Sequence, residues 1–314
     1  MTGYRGRFAP SPSGDLHFGS LATALVAWLR ARQAGGALLM RIEDIDTPRV
    51  VVGSELCQLA ELRWLGLDWD EGPDVGGPCA PYRQSERTQR YEEALAGLAA
   101  QGALYLCDCS RSDIAGVASA PHAGEEGPRY PGTCRPHGMR ARAWKRPPAV
   151  RLAVPQREVR LTDAFQGPLR QNVAREVGDF VLKRGDGIYA YQLAVVVDDL
   201  AMGITEVVRG ADLLTSAARQ ILLAEMLGGR APGFAHLPLL VTADGSRLQK
   251  RSRGHTLATE RSAGVSADAV IDRLARTLGL VGARQLPQPG ALQALRQCAD
   301  LSVLCGRREL RLGT

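Results

Sequence analysis

Arg7-Phe8-Ala9-Pro10-Ser11-Pro12-Ser13-Gly14-Asp15-Leu16-His17-Phe18-Gly19-Ser20 runs straight into an amphipathic stretch, and its reading decides the fold. A Pro/Gly/Ser turn ahead of a helix leaves backbone N–H groups and the positive end of a dipole in position for a phosphate. His17 is a donor to such a phosphate, and Gly19 allows a base or ribose close to the backbone. A Pro-rich loop capped into an ordinary helix reads the same way locally. The distinguishing feature lies over two hundred residues away, where Ser246-Arg247-Leu248-Gln249-Lys250-Arg251-Ser252 forms a basic loop that can reach the same phosphates.

Outward from that turn, residues 5–8 read as a short buried strand and residues 17–32 as a helix. Leu21, Leu25, Trp28 and Leu29 share one face of it. Gly35-Gly36 ends this helix, and Ala37–Ile42 reads as the next parallel strand. Helices follow near 54–66 and near 85–101, the second with Ser85 as its N-cap. This alternation predicts an α/β fold with a doubly wound parallel sheet and a ligand crevice at the carboxyl ends of its strands. From Cys107 to about Pro148 the pattern lapses into Gly, Pro, Arg and Ser, which predicts an inserted subdomain. Alternation resumes at Phe180-Val181-Leu182 and at Leu193–Val197, with a helix over about 212–228. The end of the chain shows helical spacing at Val270, Leu274, Leu278, Leu292 and Leu295, interrupted by Pro287 and Pro289. The expected organisation is a first catalytic half (1–105), an insert (106–170), a second catalytic half (171–256) and a short helical appendage (257–314).

The chain has 314 residues, enough for one large core with smaller additions. Its 39 basic and 33 acidic residues leave a formal charge of +6, which permits an RNA partner without arguing for one. No apolar run is long enough for a membrane span, and no charged-then-apolar leader is present, so the expected location is the cytoplasm. Three of the seven cysteines crowd into residues 107–134, which suggests a metal rather than disulfides. Cys107, Cys109 and Cys134 offer three soft ligands where zinc takes four; the chemistry alone favours His137 or His122 as the fourth. An insert with so little apolar periodicity needs such a staple, so the zinc is expected to be structural.

The two distant motifs together resemble the signatures of class I aminoacyl-tRNA synthetases. His17-Phe18-Gly19-Ser20 is similar to the HIGH motif, and Arg247-Leu248-Gln249-Lys250-Arg251 to a variant of KMSKS. Three stretches narrow the resemblance to the glutamyl branch: Arg41–Arg49, Tyr191–Asp199 and Gly203–Asp212. The resemblance implies a Rossmann-like nucleotide-binding domain and a carbon–oxygen ligase that uses ATP with Mg²⁺. It places His17, Gly19 and Lys250 at the chemistry, with Ser11 beside the ATP. It assigns Arg7 and Arg209 to the glutamate carboxylates, Glu43 to the ammonium and Tyr191 to polar contacts. Phe8, Ala9, Pro10 and Ser11 become the pocket wall. Since Tyr130-Pro131-Gly132-Thr133-Cys134 matches half of a zinc motif in short glutamyl-type enzymes, the resemblance also offers Tyr130 as the fourth zinc ligand. One departure stands out: full-length glutamyl enzymes carry asparagine where this chain has Val195, which implies weaker or altered hold on the amino-acid end.

Only about sixty residues follow Lys250, too few for the anticodon-binding region of full-length relatives. The resemblance is therefore to short glutamyl-type enzymes without an anticodon reader, and the expected state is a monomer. It implies activation of glutamate without tRNA, then transfer to the cyclopentenediol of queuosine in the anticodon loop of tRNA(Asp). A truncated enzyme charging the 3′ end of tRNA(Glu) is the nearest rival. A small-molecule nucleotidyltransferase would not need the Tyr191–Asp199 and Arg209 segments, and a non-catalytic RNA-binding module would not need His17, Gly19 and Lys250 together.

Overall fold

The computed structural model describes residues 3–110, 112–114, 129–242, 257–282 and 286–311. In chain order, β1 (Arg5–Phe8) leads to α1 (Phe18–Gln33) and β2 (Ala37–Met40), and then to α2 (Ser54–Trp64) and α3 (Thr88–Ala100). Next come β3 (Leu104–Cys107), β4 (Ala149–Leu152), the hairpin β5 (Glu158–Asp163) and β6 (Gly167–Asn172), the single turn α4 (Val173–Glu176) and β7 (Val181–Lys183). The chain continues through α5 (Tyr191–Ala201), β8 (Glu206–Gly210), α6 (Ala217–Met226), β9 (Gly233–Leu237) and β10 (Leu239–Val241). It ends with α7 (Leu257–Ser262), α8 (Ala267–Thr277), α9 (Ala291–Cys298) and β11 (Glu309–Arg311).

The organising element is a parallel sheet in the order β2-β1-β8-β9. β1 is flanked by β2, the next strand along the chain, and by β8, about two hundred residues on, so the crevice at the carboxyl ends of β1 and β8 is a switch point of the kind where open α/β sheets take ligands. Strand alternation sorts the two faces. Phe8, Leu38, Met40, Val208, Ala235 and Leu237 point into the large apolar core that holds Leu21, Leu25, Trp28 and Leu29 of α1. Leu39, Val207 and Phe234 belong to a separate cluster on the other face. The C-terminal helices contribute Val270, Leu274, Leu278, Leu292 and Leu295 to the same core as α1, so they are part of the body of the catalytic fold. β11 pairs in parallel with β10 and anchors the end of the described chain beside that body.

Three local expectations are corrected. Ser85 does not cap a helix: it lies in the 3₁₀ turn Gln84–Arg87, where its N–H and hydroxyl donate to the Asp44 carboxylate at 2.8 and 2.6 Å. Phe180–Leu182 does not rejoin the parallel sheet. β7 pairs antiparallel with β4, which pairs antiparallel with β3, so the sheet of the insertion starts before Cys107 and continues past residue 180. Leu193–Val197 lies inside α5 and not in a strand. Three consecutive valines are poor helix formers, but Leu193 through Asp199 are all buried, and packing overrides a propensity penalty of a few tenths of a kcal/mol per residue. Among the described residues, no helix is long and apolar enough to cross a membrane.

Candidate active site

The turn between β1 and α1 is held from behind by α2. Ser54 Oγ donates to the Gly14 carbonyl at 2.7 Å and accepts from the Gly14 N–H at 3.0 Å. Gln58 Nε2 donates to the carbonyls of Ser11 and Gly14 at 3.2 and 2.6 Å. At the helix entry His17 is the N-cap, its Nδ1 accepting from Ser20 N–H at 3.1 Å and its Nε2 lying 2.9 Å from Ser20 Oγ. A neutral His17 therefore carries its proton on Nε2. Gly19 serves this arrangement directly, because a Cβ there would come within 3.1 Å of the His17 ring. Lys250 and the rest of 246–252 lie outside the described residues, as does His122.

On the sheet face opposite the large core, Arg7 and Val207 are register partners, and so are Arg209 and His236. Both arginines are buried near the strands' carboxyl ends. Phe8 is corrected by the same alternation: its ring lies in the core on the other face, so only its backbone remains for the pocket wall. Arg7 Nε reaches Asp199 at 3.4 Å, and Arg41, fully buried, reaches the same carboxylate at 2.7 Å and Glu43 at 3.1 Å. Asp198 takes Arg87 Nε at 2.6 Å, the Tyr91 hydroxyl at 2.9 Å and Gln84 Nε2 at 3.0 Å. Burial pushes the Glu43 carboxyl above its ordinary range, although Arg41 and Arg7 pull the other way.

Arg209 differs from these. Its Nε donates to His236 Nε2 at 2.9 Å, Nη1 to Gln220 Oε1 at 2.7 Å and the Tyr191 hydroxyl at 3.4 Å, and Nη2 to the Leu213 carbonyl at 3.2 Å. Every one of these partners is neutral when His236 accepts. No carboxylate of the described residues lies within ion-pair distance, and burial holds the guanidinium below its ordinary pKa. Four of the five N–H groups a guanidinium carries are engaged, and one on Nη2 is left over. Over the cluster as a whole, Arg7, Arg41, Arg87 and Arg209 face only Glu43, Asp198 and Asp199, an excess of one positive charge.

Sequence reasoning passed over Arg41, Asp199, Gln220 and His236. The first two lie inside stretches singled out for their resemblance, while Gln220 and His236 carry no local signal. Val195, the departure from full-length relatives, is fully buried in the second apolar cluster, beneath Tyr191 on the same side of α5.

The cysteines meet some way along the insertion. Cys107, Cys109 and Cys134 place their sulfurs within 4.8 Å of one another, and Tyr130 joins them. Its hydroxyl lies 3.3 Å from Cys107 Sγ and 3.7 Å from Cys109 Sγ, and Cys109 and Cys134 are 3.6 Å apart. Zinc bonds of ordinary length in a tetrahedron give S···S edges of roughly 3.8 Å and O···S edges of roughly 3.5 Å, so this donor set fits. Arg151 stacks its guanidinium over the Tyr130 ring at 4.0 Å, while burial and the hydrogen bond with Cys107 hold the phenol well above its ordinary pKa. His137 is exposed and is not in the cluster.

A Rossmann-type sheet, a His-x-Gly helix entry and an arginine-lined crevice at the switch point define a class. The family described as tRNA synthetases class I (E and Q), catalytic domain, matches residues 4–284. The chain belongs to that family and is a ligase. Within it, the chain is 53% identical over 302 residues to a Glutamyl-Q tRNA(Asp) synthetase of Symbiobacterium thermophilum, covering 95% of this chain and 92% of that protein. A Nitratidesulfovibrio vulgaris protein of the same name is 48% identical over 281 residues, covering 88% and 87%. Among solved structures, the glutamate–tRNA synthetase of Elizabethkingia anophelis superposes with a TM-score of 0.83 at 31% identity, over 100% of this chain and 68% of that one.

Proposed function

We propose that the protein activates L-glutamate with ATP, in the absence of tRNA, and transfers the glutamyl group to the queuosine base in the anticodon of tRNA(Asp). The observation that carries the glutamate reading is the buried Arg209 with only neutral partners, in a cluster with one excess positive charge. Glutamate brings two carboxylates and one ammonium, a net charge of −1, and so completes the balance. An arginine fork suits its side-chain carboxylate, and the Glu43 carboxylate, disfavoured by burial and paired so far with Arg41, gains a second cationic partner in the ammonium. Arg7 and Tyr191 complete the hold. The names borne by relatives that align over about nine-tenths of their length support the acceptor.

In the first step a glutamate α-carboxylate oxygen attacks the α-phosphorus of ATP. The bond to pyrophosphate breaks and glutamyl-adenylate remains. No general base is required, since the carboxylate is already ionised, so catalysis rests on alignment and on stabilising charge at phosphorus. The α1 entry with His17 and Gly19 cradles the phosphates, and Lys250 meets the developing charge; the nucleotide arrives with Mg²⁺. In the second step a cyclopentenediol hydroxyl attacks the glutamyl carbonyl and AMP leaves. Cys107, Cys109, Tyr130 and Cys134 would hold one structural Zn²⁺ that staples the insertion, its four positions filled by protein. The reading includes a cytoplasmic, monomeric enzyme.

Pyrophosphate exchange with glutamate and no RNA tests the first half; exchange that appears only with tRNA would sink it. Labelled glutamate offered to tRNA(Asp) with and without queuosine tests the second, and label on the 3′ end of tRNA(Glu) would favour the truncated-synthetase rival. Arg209→Lys keeps the charge but loses the fork, so the KM for glutamate should rise by about tenfold or more. An unchanged KM would make Arg209 structural.

A further inference from the structure

Arg209 is held in part by a hydrogen-bond chain that runs through His236 to the β5–β6 hairpin. The turn of the β5–β6 hairpin lies against β9, and Asp163 at its start is almost fully buried. Its Oδ1 accepts the backbone N–H groups of Phe165, Gln166 and His236 at 3.0, 2.9 and 3.1 Å. Its Oδ2 stands 2.5 Å from Nδ1 of His236, and Nε2 of the same ring is 2.9 Å from Nε of Arg209. These three side chains come from the insertion and from two neighbouring strands of the catalytic sheet.

The protons in this chain are fixed by elimination. The guanidinium Nε–H can only donate, so His236 Nε2 must accept through its lone pair. The ring's one proton then sits on Nδ1 and goes to the Asp163 carboxylate. Burial keeps the imidazole below its ordinary pKa, with Asp163 pulling upward and Arg209 downward. The neutral state is the one that this geometry requires. On the far side Gln220 of α6 takes Nη1, and Gln220 Nε2 in turn donates to Gln192 Oε1 of α5 at 2.9 Å.

We propose that Asp163 and His236 are positioning residues for Arg209: the carboxylate selects the Nδ1–H tautomer, and the resulting lone pair sets the guanidinium plane so that its unused Nη2 edge meets the substrate carboxylate. This rests on the reading of Arg209 as the receptor of that carboxylate. The hairpin, which belongs to the insertion, is thereby a structural requirement for glutamate affinity at the catalytic sheet.

Asp163→Asn is the discriminating variant. It is nearly isosteric and keeps an oxygen for the three backbone N–H groups, but its amide N–H faces Nδ1 and selects the other tautomer, as asparagine beside a histidine does. His236 Nε2–H then meets Arg209 Nε–H donor to donor. The expected result is a KM for glutamate raised about tenfold or more, with kcat and the KM for ATP within about twofold of wild type. His236→Phe, which keeps the ring but offers no acceptor, should do the same. If Arg209→Lys raises the glutamate KM while both variants leave it unchanged, the positioning role is overturned and the reading of Arg209 stands. If Arg209→Lys has no effect, the reading falls first. Imidazole ¹⁵N NMR of the wild-type protein is independent of how the variants fold: an Nδ1–H signature for His236 supports the proposal, and Nε2–H or a cationic ring at neutral pH overturns it.

Discussion

The crevice and the cysteine cluster both draw polar side chains out of water, and they do so on different terms. In the crevice the carboxylates of Asp198 and Asp199 meet arginines at 2.6 and 2.7 Å, and the helix-entry turn is clamped by Ser54 and Gln58. In the cluster three thiols and a phenol face mostly one another at 3.3–3.7 Å, through contacts that are weak between neutral sulfur groups. The first set holds its geometry with strong, charge-assisted bonds supplied by the chain, and leaves only Arg209 without a counter-charge. The second is a candidate ligand set whose cohesion, on the proposed zinc reading, would come from an ion. Rigid preorganisation suits a site that must stabilise a transition state, while a stapled loop needs only to keep its shape.

The comparison breaks most sharply at Lys250. Lys250→Ala should remove roughly 2–4 kcal/mol of transition-state stabilisation, a loss of about 30-fold to about 10³-fold in glutamate-dependent pyrophosphate exchange. Zinc content and thermal unfolding should be unchanged; a loss confined to the transfer step would move the lysine out of activation. In the cluster the opposite pattern is expected. Cys109→Ser should release the metal and loosen the insertion, since metal binding there is folding free energy. Transfer to tRNA should fall much further than activation. Elemental analysis and the two half-reactions read this out, and an equal loss of both would join the cluster mechanically to the crevice.

The smallest effect concerns the wall behind the helix-entry turn. Glu61 follows Ser54 and Gln58 along the same side of α2, and one of its carboxylate oxygens is buried without a hydrogen bond. Burial, with Asp15 nearby, raises its pKa to about 7. A carboxyl whose folded pKa lies above its unfolded value contributes stability fully present below the unfolded pKa, and that contribution is lost as pH rises through the folded one. The loss therefore runs from about pH 4.5 to about pH 7. Glu61→Gln should stabilise the protein at pH 8 by on the order of 1 kcal/mol, discounted for its partial exposure, and have no effect at pH 4. Thermal melts at the two pH values check this; equal shifts at both would show that the carboxyl is not strained.

Much of this was legible before any coordinates. The strand at 5–8, the helix that follows and the helix near 54–66 rest on periodicity and on Gly/Pro punctuation, which are local. The cysteine spacing already named a metal candidate, and Tyr130 entered only through resemblance. The errors share a cause. Val195–Val197 looks like strand because β-branched residues favour it, and burial on all sides reversed that preference. Val181–Lys183 is a strand, but its partner is β4, and pairing is set by residues about thirty positions away.

Periodicity and punctuation along the chain were enough to predict a parallel α/β fold and its first helix-entry turn, because each depends on neighbours within a turn; Arg7 and Arg209 were singled out through resemblance. Which face Phe8 takes, which arginine lacks a counter-ion and how Asp163 reaches Arg209 through His236 depend on contacts between residues tens to hundreds of positions apart. Those were decided only when strand register brought β8 beside β9 and laid the hairpin turn across it, since hydrogen-bond partners and buried charge balance are properties of three-dimensional neighbours.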